Sequence, residues 1–162
     1  MKHYYHLLLG SNLGDRESYL TRGEGLLRTY GLDILRESSI YESQAWGNEN
    51  QNHFLNKALL VCSHRSPGQF LNFIFMVEKL CERQRNQKWG PRTLDIDIIF
   101  HEGKVYNSQR LSIPHKEFRN RKFVLLPIKE IDGAFIDPLS GCSIKQLFDA
   151  CEDPLWVRKF NE

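Results

Sequence analysis

Runs of alternating or continuously apolar residues predict the β-strands of this chain. They cover residues 4–9, 33–42, 53–63 and 94–100, with a further short strand at 104–107. In the run at 94–100, successive side chains point to opposite faces of the strand. Alternation therefore predicts that one face carries apolar side chains toward a core and that the other carries two carboxylates. The first set is Leu94, Ile96, Ile98 and Phe100, and the second is Asp95 and Asp97.

Helical spacing of apolar residues predicts four helices. They are expected at 16–30, from Ser66 onward, at 124–131 and from Ser143 onward. The second and fourth begin with a capping-box pattern, in which a serine is followed three residues later by a glutamine. The first should end at Gly31, the second should fade near Arg85, and the third should be interrupted by Pro127.

The resulting order, β-α-β-β-α-β with additions at the C-terminal end, predicts an α+β fold of ferredoxin-like type with a mainly antiparallel sheet. Helices would cover one face of the sheet and leave the other face free for ligands. The chain has 162 residues and contains no repeat or linker-like segment, so a single domain over 1–162 is expected.

Composition and charge narrow the function classes. The net charge is only +2, which does not indicate a nucleic-acid binder. Cations nevertheless cluster between Lys116 and Lys122 and between residues 83 and 92, where they are Arg83, Arg85, Lys88 and Arg92. Such clusters favour a compact polyanion such as a triphosphate, although a solvated loop is the alternative. We expect a cytoplasmic monomer, with no membrane segment or signal peptide.

The cysteines do not predict a metal site or a disulfide framework. The spacing of the four residues contains no C-x-x-C pair and no histidine pair at zinc-site intervals. Three of them fall at apolar positions of predicted elements, where free cysteine behaves as a small hydrophobe. We therefore expect reduced thiols at Cys62, Cys81, Cys142 and Cys151.

Asp95 and Asp97 suggest metal chemistry. Their Cα atoms should lie roughly 6.5–7 Å apart on one face of a strand, and two nearby carboxylates repel unless cations separate them. Mg²⁺ suits such a pair, because it takes carboxylate oxygens and completes its shell with water and substrate phosphates. The alternative is that both aspartates lie on a solvent-exposed face, paired with neighbouring arginines.

Further motifs decide between these interpretations. W-G-P-R-T-L-D-I-D-I at 89–98 resembles the signature of the 6-hydroxymethyl-7,8-dihydropterin pyrophosphokinase family. The other matches follow in the family's order: L-G-S-N-L-G at 9–14, F-L-N at 54–56, E-x-x-x-x-R-x-R at 78–85, R-L-S-I-P-H at 110–115 and R-x-F-V-L at 121–125. The resemblance implies transfer of pyrophosphate from ATP to the pterin hydroxymethyl group in folate biosynthesis, with release of AMP.

The resemblance also implies a role for each matching residue. Asp95 and Asp97 would hold two Mg²⁺ ions, and they would form the catalytic set with Arg83 and Arg92. Arg83, Arg85 and Trp89 would lie on a mobile loop that closes over the substrates. ATP would be bound by Glu78, Arg83, Arg85, Trp89, Arg92, Ile98, Arg110, Ser112, His115 and Arg121. The pterin would be bound by Ser43, Trp46, Phe54, Asn56, Trp89, Asp95 and Phe123.

Within the pterin site, Phe54 and Phe123 would stack on the flat ring, while Asn56 would read its polar edge with one donor and one acceptor. The chain departs from the family pattern in four places. Glu82 stands where glycine is common and could make the loop stiffer or more helical, Phe75 replaces a polar residue of some relatives, and Lys116 stands where an aromatic can occur. The segment 43–47 lacks the expected prolines.

Two other functions are compatible with parts of the pattern. A Mg²⁺-dependent nucleotidyltransferase or phosphohydrolase could use the same D-x-D, but it would not need Phe54, Asn56 and Phe123 together. A ferredoxin-like nucleic-acid-binding module could stack bases on sheet aromatics. The acidic pair on the same face argues against that module, because it would repel phosphates. We therefore expect small-molecule substrates and no nucleic-acid partner.

Overall fold

The order of elements agrees with the sequence prediction. The computed structural model describes residues 1–83 and 90–161. The strands are β1 (His3–Ser11), β2 (Asp33–Glu37), β3 (Tyr41–Ser43), β4 (Phe54–Ser63), β5 (Asp95–His101), β6 (Tyr106–Asn107), β7 (Ser112–Ile113) and β8 (Val157–Lys159). The helices are α1 (Arg16–Thr29), α2 (Pro67–Leu80), α3 (Lys122–Asp132) and α4 (Ile144–Asp149), with a 3₁₀ turn at Phe118–Asn120.

The main sheet has six strands in the order β5-β1-β4-β3-β8, with β2 pairing with β4 beside β3. All of its ladders are antiparallel. The expected single strand at 33–42 is thus divided into β2 and β3. Ser38 lies at the break, where its hydroxyl accepts the backbone N–H of Ala58 at 2.9 Å and replaces a ladder bond. With β2 and β3 taken as one interrupted strand, the arrangement is the predicted ferredoxin-like βαββαβ fold.

Apolar side chains are buried on both faces of the sheet. One cluster packs α1 and α2 against one face and includes Leu27, Phe70 and Leu94. A second cluster packs α3 and α4 against the other face and includes Phe118 and Ile128. The expectation of one uncovered face is therefore wrong, because the C-terminal helices cover part of it. The uncovered part lies where β1 ends and β4 and β5 begin.

The predicted alternation in β5 holds only over its first half. The register with β1 shifts between His6 and Leu7, whose partners are Phe100 and Ile98. This β-bulge makes Ile99 the extra residue of β5. The side chains that follow it therefore point to the face opposite the one that simple alternation predicts. Phe100 consequently joins Ile99 in the cluster under α3 and α4, and its prediction on the same face as Ile98 is wrong.

Two helix starts are confirmed and one helix end differs from the prediction. The backbone N–H groups of Ser66 and Ser143 donate to the side chains of Gln69 and Gln146, at 3.1 and 2.9 Å. Helix α2 ends at Leu80 rather than near Arg85. Glu82 then adopts a left-handed φ of 62°. A glycine would take this conformation without strain, and Glu82 lies in the turn that follows α2.

Helix α3 contains Pro127 without being interrupted. A proline removes one helical hydrogen bond, but burial of Val124, Leu125 and Ile128 along the same helix keeps it in place. All four cysteines are free, and Cys62 and Cys81 are buried as predicted. Within the two described segments, no helix combines the length and apolar character that a bilayer crossing requires.

Candidate active site

Two adjoining clefts meet at the start of β5, one on the uncovered part of the sheet and the other along the β5 edge beside α2. The first, here called the aromatic pocket, has an open volume of about 570 Å³ and is lined by Leu8, Gly10, Ser43, Gln44, Trp46, Gln51, Phe54, Asn56, Gly90, Arg92, Asp95, Asp97, Arg121 and Phe123. The second, the arginine pocket, has about 920 Å³ and is lined by Leu71, Phe75, Glu78, Arg83, Arg92, Asp95, Ile96, Asp97, Ile98, Arg110, Leu111, Ser112, His115 and Arg121.

The two clefts share one wall, which consists of Arg92, Asp95, Asp97 and Arg121. Strand register creates this arrangement. Gly10 of β1 pairs with Asn56 of β4 on one side and with Asp95 of β5 on the other. Leu8 lies opposite Asp97 in the same ladder. Because Gly10 has no side chain, the surface between the Asn56 amide and the Asp95 carboxylate stays open.

The aromatic pocket combines a fixed amide with aromatic rings from separate elements. The Asn56 side chain is buried, and its Nδ2 donates to Ser43 Oγ at 2.8 Å. That bond orients the amide and leaves Oδ1 as an acceptor. Phe54 begins β4, whereas Phe123 lies in the first turn of α3. The Arg121 guanidinium lies 4.2 Å from the centre of the Trp46 ring, which fixes both side chains by a cation–π contact.

Asp95 is held by two guanidinium groups. Arg83 donates to Asp95 Oδ1 at 2.5 Å, and Arg92 donates to Oδ2. Burial acts to raise the pKa of Asp95, but the positive charges of Arg83 and Arg92 outweigh it and hold that pKa below its usual range. Asp95 is therefore ionised over the physiological range.

Asp97 has a different environment. No hydrogen bond or ion pair joins its carboxylate to any residue within 1–83 or 90–161. Burial and the neighbouring charge of Asp95 raise the pKa of Asp97 to about 7. Both effects disfavour a negative charge at this point unless a cation compensates it. A divalent ion next to the pair would remove the repulsion.

Glu78 links helix α2 to the start of β5. Its buried carboxylate accepts the backbone N–H of Ile96 at 2.9 Å, and Arg83 donates to the same oxygen. Glu78 thus positions the Arg83 guanidinium beside Asp95. Glu78 also lines the arginine pocket. A contact between Glu78 and the nucleotide therefore stays a prediction, in addition to the observed contact that positions Arg83.

His115 is placed as a neutral hydrogen-bond donor. Burial, followed by the charge of Arg121, lowers the pKa of His115 to about 4. The backbone N–H of Glu117 donates to His115 Nδ1 at 3.2 Å, so the ring proton lies on Nε2. The backbone N–H of His115 in turn bonds to the carbonyl of Ile99 at 3.0 Å, which fixes this segment to β5.

The structure gathers every predicted site residue that it describes into one or both clefts. Arg85 and Trp89 lie outside the described residues. The predicted site residues do not include Leu8, Gly10, Gln51 and Gly90 of the aromatic pocket or Leu71, Ile96 and Leu111 of the arginine pocket. Gly10, Gly90, Ile96 and Leu111 lie inside the motifs at 9–14, 89–98 and 110–115, which could have identified them, whereas Leu8, Gln51 and Leu71 lie outside every motif.

Two of the departures from the family pattern are now located. Phe75 lines the arginine pocket, and the guanidinium of Arg110 lies 5.9 Å from the centre of its ring. Phe75 therefore offers the arginine pocket an aromatic surface on which a cation can lie. Lys116 is exposed to solvent and lines neither cleft.

Comparison with known proteins identifies the family. A family model described as 7,8-dihydro-6-hydroxymethylpterin-pyrophosphokinase (HPPK) matches residues 6–133. The 2-amino-4-hydroxy-6-hydroxymethyldihydropteridine pyrophosphokinase of Aquifex aeolicus (strain VF5) is 39% identical over 87% of this chain and 88% of its own length. The enzyme of the same name from Bacillus subtilis (strain 168) is 36% identical over 81% of this chain and 79% of its own length.

A solved structure supports the fold. The Plasmodium falciparum HPPK-DHPS protein crystallised with pteroate has a TM-score of 0.73 and 16% sequence identity over 93% of this chain. The match covers 42% of that longer chain, so only part of it resembles this protein. The family model covers most of the motifs and strands that build the two clefts. The chain therefore belongs to the 7,8-dihydro-6-hydroxymethylpterin-pyrophosphokinase family.

Proposed function

We propose that the arginine pocket binds the phosphates of ATP, that the aromatic pocket binds 6-hydroxymethyl-7,8-dihydropterin, and that pyrophosphate passes between them at the shared wall. The hydroxymethyl oxygen attacks the β-phosphorus and gives up its proton to solvent, the bond from that phosphorus to the bridging oxygen of AMP breaks, and AMP leaves. The observation that carries this assignment is the position of Asp95 and Asp97, which line both clefts at once.

The carboxylates fit two Mg²⁺ ions. Asp97 has no hydrogen-bond or ion-pair partner among the described residues and has a raised pKa, while each oxygen of Asp95 accepts one guanidinium and keeps a further lone pair. Asp95 and Asp97 would be the protein ligands, with water and phosphate oxygens completing each shell. Bound Mg²⁺ supplies charge neutralisation on the transferred phosphates.

The remaining roles fall to the cations and to the aromatic pocket. Arg83, Arg92 and Arg121 present guanidinium groups to phosphate oxygens. His115 donates its Nε2–H to the β- or γ-phosphate as a neutral ring. In the other cleft, Phe54 and Phe123 stack on the pterin, and Asn56 Oδ1 accepts a hydrogen bond from its polar edge. Catalysis then consists mainly of positioning and charge stabilisation.

A product assay tests this function. The protein is incubated with ATP, Mg²⁺ and 6-hydroxymethyl-7,8-dihydropterin, and the nucleotide products are separated. AMP should form in equal amount to the pterin diphosphate, and only when both the pterin and Mg²⁺ are present. ADP as the nucleotide product would contradict the proposal, as would AMP formation without the pterin. A phosphohydrolase would give one of these two results, whereas a nucleotidyltransferase would attach the nucleotidyl group to its acceptor and release pyrophosphate, without free AMP or ADP.

A further inference from the structure

A second cluster of ligand-type side chains lies at the opposite end of β5. His3 begins β1, His101 ends β5, and Glu102 follows it. His3 Nδ1 lies 3.1 Å from His101 Nε2. Glu102 Oε1 lies 3.6 Å from the former atom and 3.8 Å from the latter. Because the extended strand β5 separates Asp95 from His101, the cluster is roughly 20 Å from the shared wall of the clefts.

The geometry points to a binding site for one first-row transition-metal dication, such as Zn²⁺, with His3 Nδ1, His101 Nε2 and Glu102 Oε1 as ligands. In a tetrahedral zinc site with bonds of about 2.0–2.1 Å, neighbouring ligand atoms lie about 3.4 Å apart. Of the three separations in this cluster, 3.1 Å is shorter than that value, and 3.6 and 3.8 Å are longer. A fourth position would be left for water or another ligand.

The rings and the carboxylate are already oriented. His101 is buried and stacks on Tyr5 at 4.6 Å, and Tyr5 stacks in turn on Phe70 at 4.0 Å. The Tyr5 hydroxyl donates to the carbonyl of Arg65 at 2.8 Å, which fixes the middle ring of this stack. Packing therefore holds the His101 ring in the orientation that the site needs.

Glu102 is oriented by two donors. The backbone N–H of Tyr4 donates to Oε1 at 2.9 Å, and Lys104 Nζ donates to Oε2 at 2.7 Å. Oε1 keeps a second lone pair for a metal. Such outer contacts to a ligand raise metal affinity by fixing its direction. Glu102 would bind the metal through Oε1 alone, and Lys104 would keep its hydrogen bond to Oε2.

Ligand chemistry separates this cluster from the aspartate pair. Two imidazole nitrogens with one carboxylate favour Zn²⁺, Ni²⁺ or Cu²⁺, whereas Mg²⁺ prefers oxygen ligands. Metal binding replaces the hydrogen bond between the rings, and each neutral ring then carries its proton on the other nitrogen, His3 on Nε2 and His101 on Nδ1. The ion would tie the start of β1 to the turn after β5.

Zinc titration of the full chain tests the inference with a residue-specific readout. Long-range ¹H–¹⁵N spectra report the ring nitrogens of His3, His101 and His115 separately, and calorimetry gives stoichiometry and affinity. We expect Zn²⁺ to shift His3 and His101 and to raise Tm, whereas Mg²⁺ should shift neither ring. His3→Ala should weaken zinc binding at this site by more than about tenfold. His64→Ala, which removes an exposed histidine elsewhere, should leave it unchanged.

Other results would overturn the site. If zinc shifts only the ring nitrogens of His115, it binds at the clefts rather than at this cluster. If His3→Ala and His64→Ala bind zinc with equal affinity, the cluster is a hydrogen-bonded histidine pair and not a metal site. If His3→Ala lowers the Tm of the metal-free protein, the Glu102→Gln variant is tested in its place, because a glutamine side chain still accepts the backbone N–H of Tyr4. Unchanged zinc affinity in a folded Glu102→Gln protein would also contradict the carboxylate ligand.

Discussion

Gly10 lies directly opposite Asp95 in the antiparallel pairing of β1 with β5. The same glycine pairs with Asn56 on its other side. At Gly10, strand β1 therefore has no side chain between the Asn56 amide, which we assign to the pterin, and the Asp95 carboxylate, which we assign to the metal. A side chain at this position would narrow the aromatic pocket beside Asn56 and Phe54.

Replacement of Gly10 by alanine should reduce activity without unfolding the protein. An added Cβ would lie 3.5 Å from Asn56 Oδ1 and 3.6 Å from Phe54 Cδ1, which are ordinary contact distances. The free energy of unfolding should therefore change by less than about 1 kcal/mol. The methyl group narrows the aromatic pocket, so KM for the pterin should rise at least about tenfold while KM for ATP changes little. Steady-state kinetics and urea denaturation measure both effects.

The matched control is Gly25→Ala on the exposed face of α1, where an added Cβ meets nothing within 4 Å. This variant should gain about 0.5–1 kcal/mol of stability from helix propensity and keep wild-type kinetics. Equal pterin KM values in the two alanine variants would show that the space above Gly10 is not used by the pterin.

Asp97→Asn should stabilise the ligand-free protein and abolish turnover. The pKa of Asp97 is about 7 in the folded chain against an ordinary value of 3.8, so the fold disfavours the ionised carboxylate. That cost is fully present above pH 7 and disappears as the pH falls through 7 toward 3.8. The neutral amide should thus raise the free energy of unfolding by roughly 1–3 kcal/mol at pH 8, since one pKa unit corresponds to about 1.4 kcal/mol.

Denaturation at pH 8 and pH 4.5, with the product assay at pH 8, checks this pair of effects. The stabilisation should shrink at the lower pH, and kcat should fall by at least about a thousandfold through loss of a metal ligand. Asp149→Asn, at the exposed end of α4, is a control that should change neither quantity appreciably. Lower stability of Asp97→Asn at pH 8 would instead indicate a structural ion pair.

Mg²⁺ binding should release a proton near neutral pH. Because the pKa of ligand-free Asp97 is about 7, a large part of its carboxyl is protonated at pH 6.5, and the metal must displace that proton. The apparent Mg²⁺ affinity should weaken by up to about tenfold for each pH unit below 7. Calorimetry with a non-hydrolysable ATP analogue, in two buffers of different protonation enthalpy, measures the proton released.

The same titration with Asp97→Asn gives the contrast. That variant should lose most of the proton release, apart from the part that comes from the nucleotide itself. Identical proton release in the two proteins would assign the titration to the ATP analogue and remove Asp97 from the linkage.

Much of the fold could be predicted from local patterns. The capping boxes at Ser66 and Ser143 identified two helix starts because they satisfy backbone donors within four residues of sequence. Features set by distant contacts could not be found this way. The bulge at Ile99 reverses Phe100 because α3 and α4 supply an apolar surface on the second face of the sheet. Strand β8 pairs with β3, which is more than 110 residues earlier in the chain.

The candidate site was predictable where a side chain carries distinctive chemistry. Alternation in the strand places Asp95 and Asp97 on one face and makes a metal site possible, whereas the roles of Asp95, Asp97 and Asn56 are assigned through the resemblance of their motifs to the family. Glu78 was assigned to the nucleotide, and its contact with the backbone of Ile96 was missed, because nothing in the sequence near residue 78 indicates which strand end packs against it. The L-G-S-N-L-G motif contains Gly10, but the role of this glycine as open space between Asn56 and Asp95 follows only from the strand register.

The contact between Glu78 and Arg83 leads to the last prediction, which is that Glu78→Gln should impair ATP use more than pterin use. A glutamine can still accept the Ile96 N–H, but its neutral amide no longer balances the Arg83 guanidinium. Loss of a charged hydrogen bond in a buried position should cost about 1–3 kcal/mol of stability. Arg83 should then be less well placed, and KM for ATP should rise more than KM for the pterin. Glu82→Gln is the control, because Glu82 is exposed and bonds to Tyr19 of α1 at 2.8 Å instead. A loss of stability with both KM values unchanged would restrict Glu78 to anchoring β5.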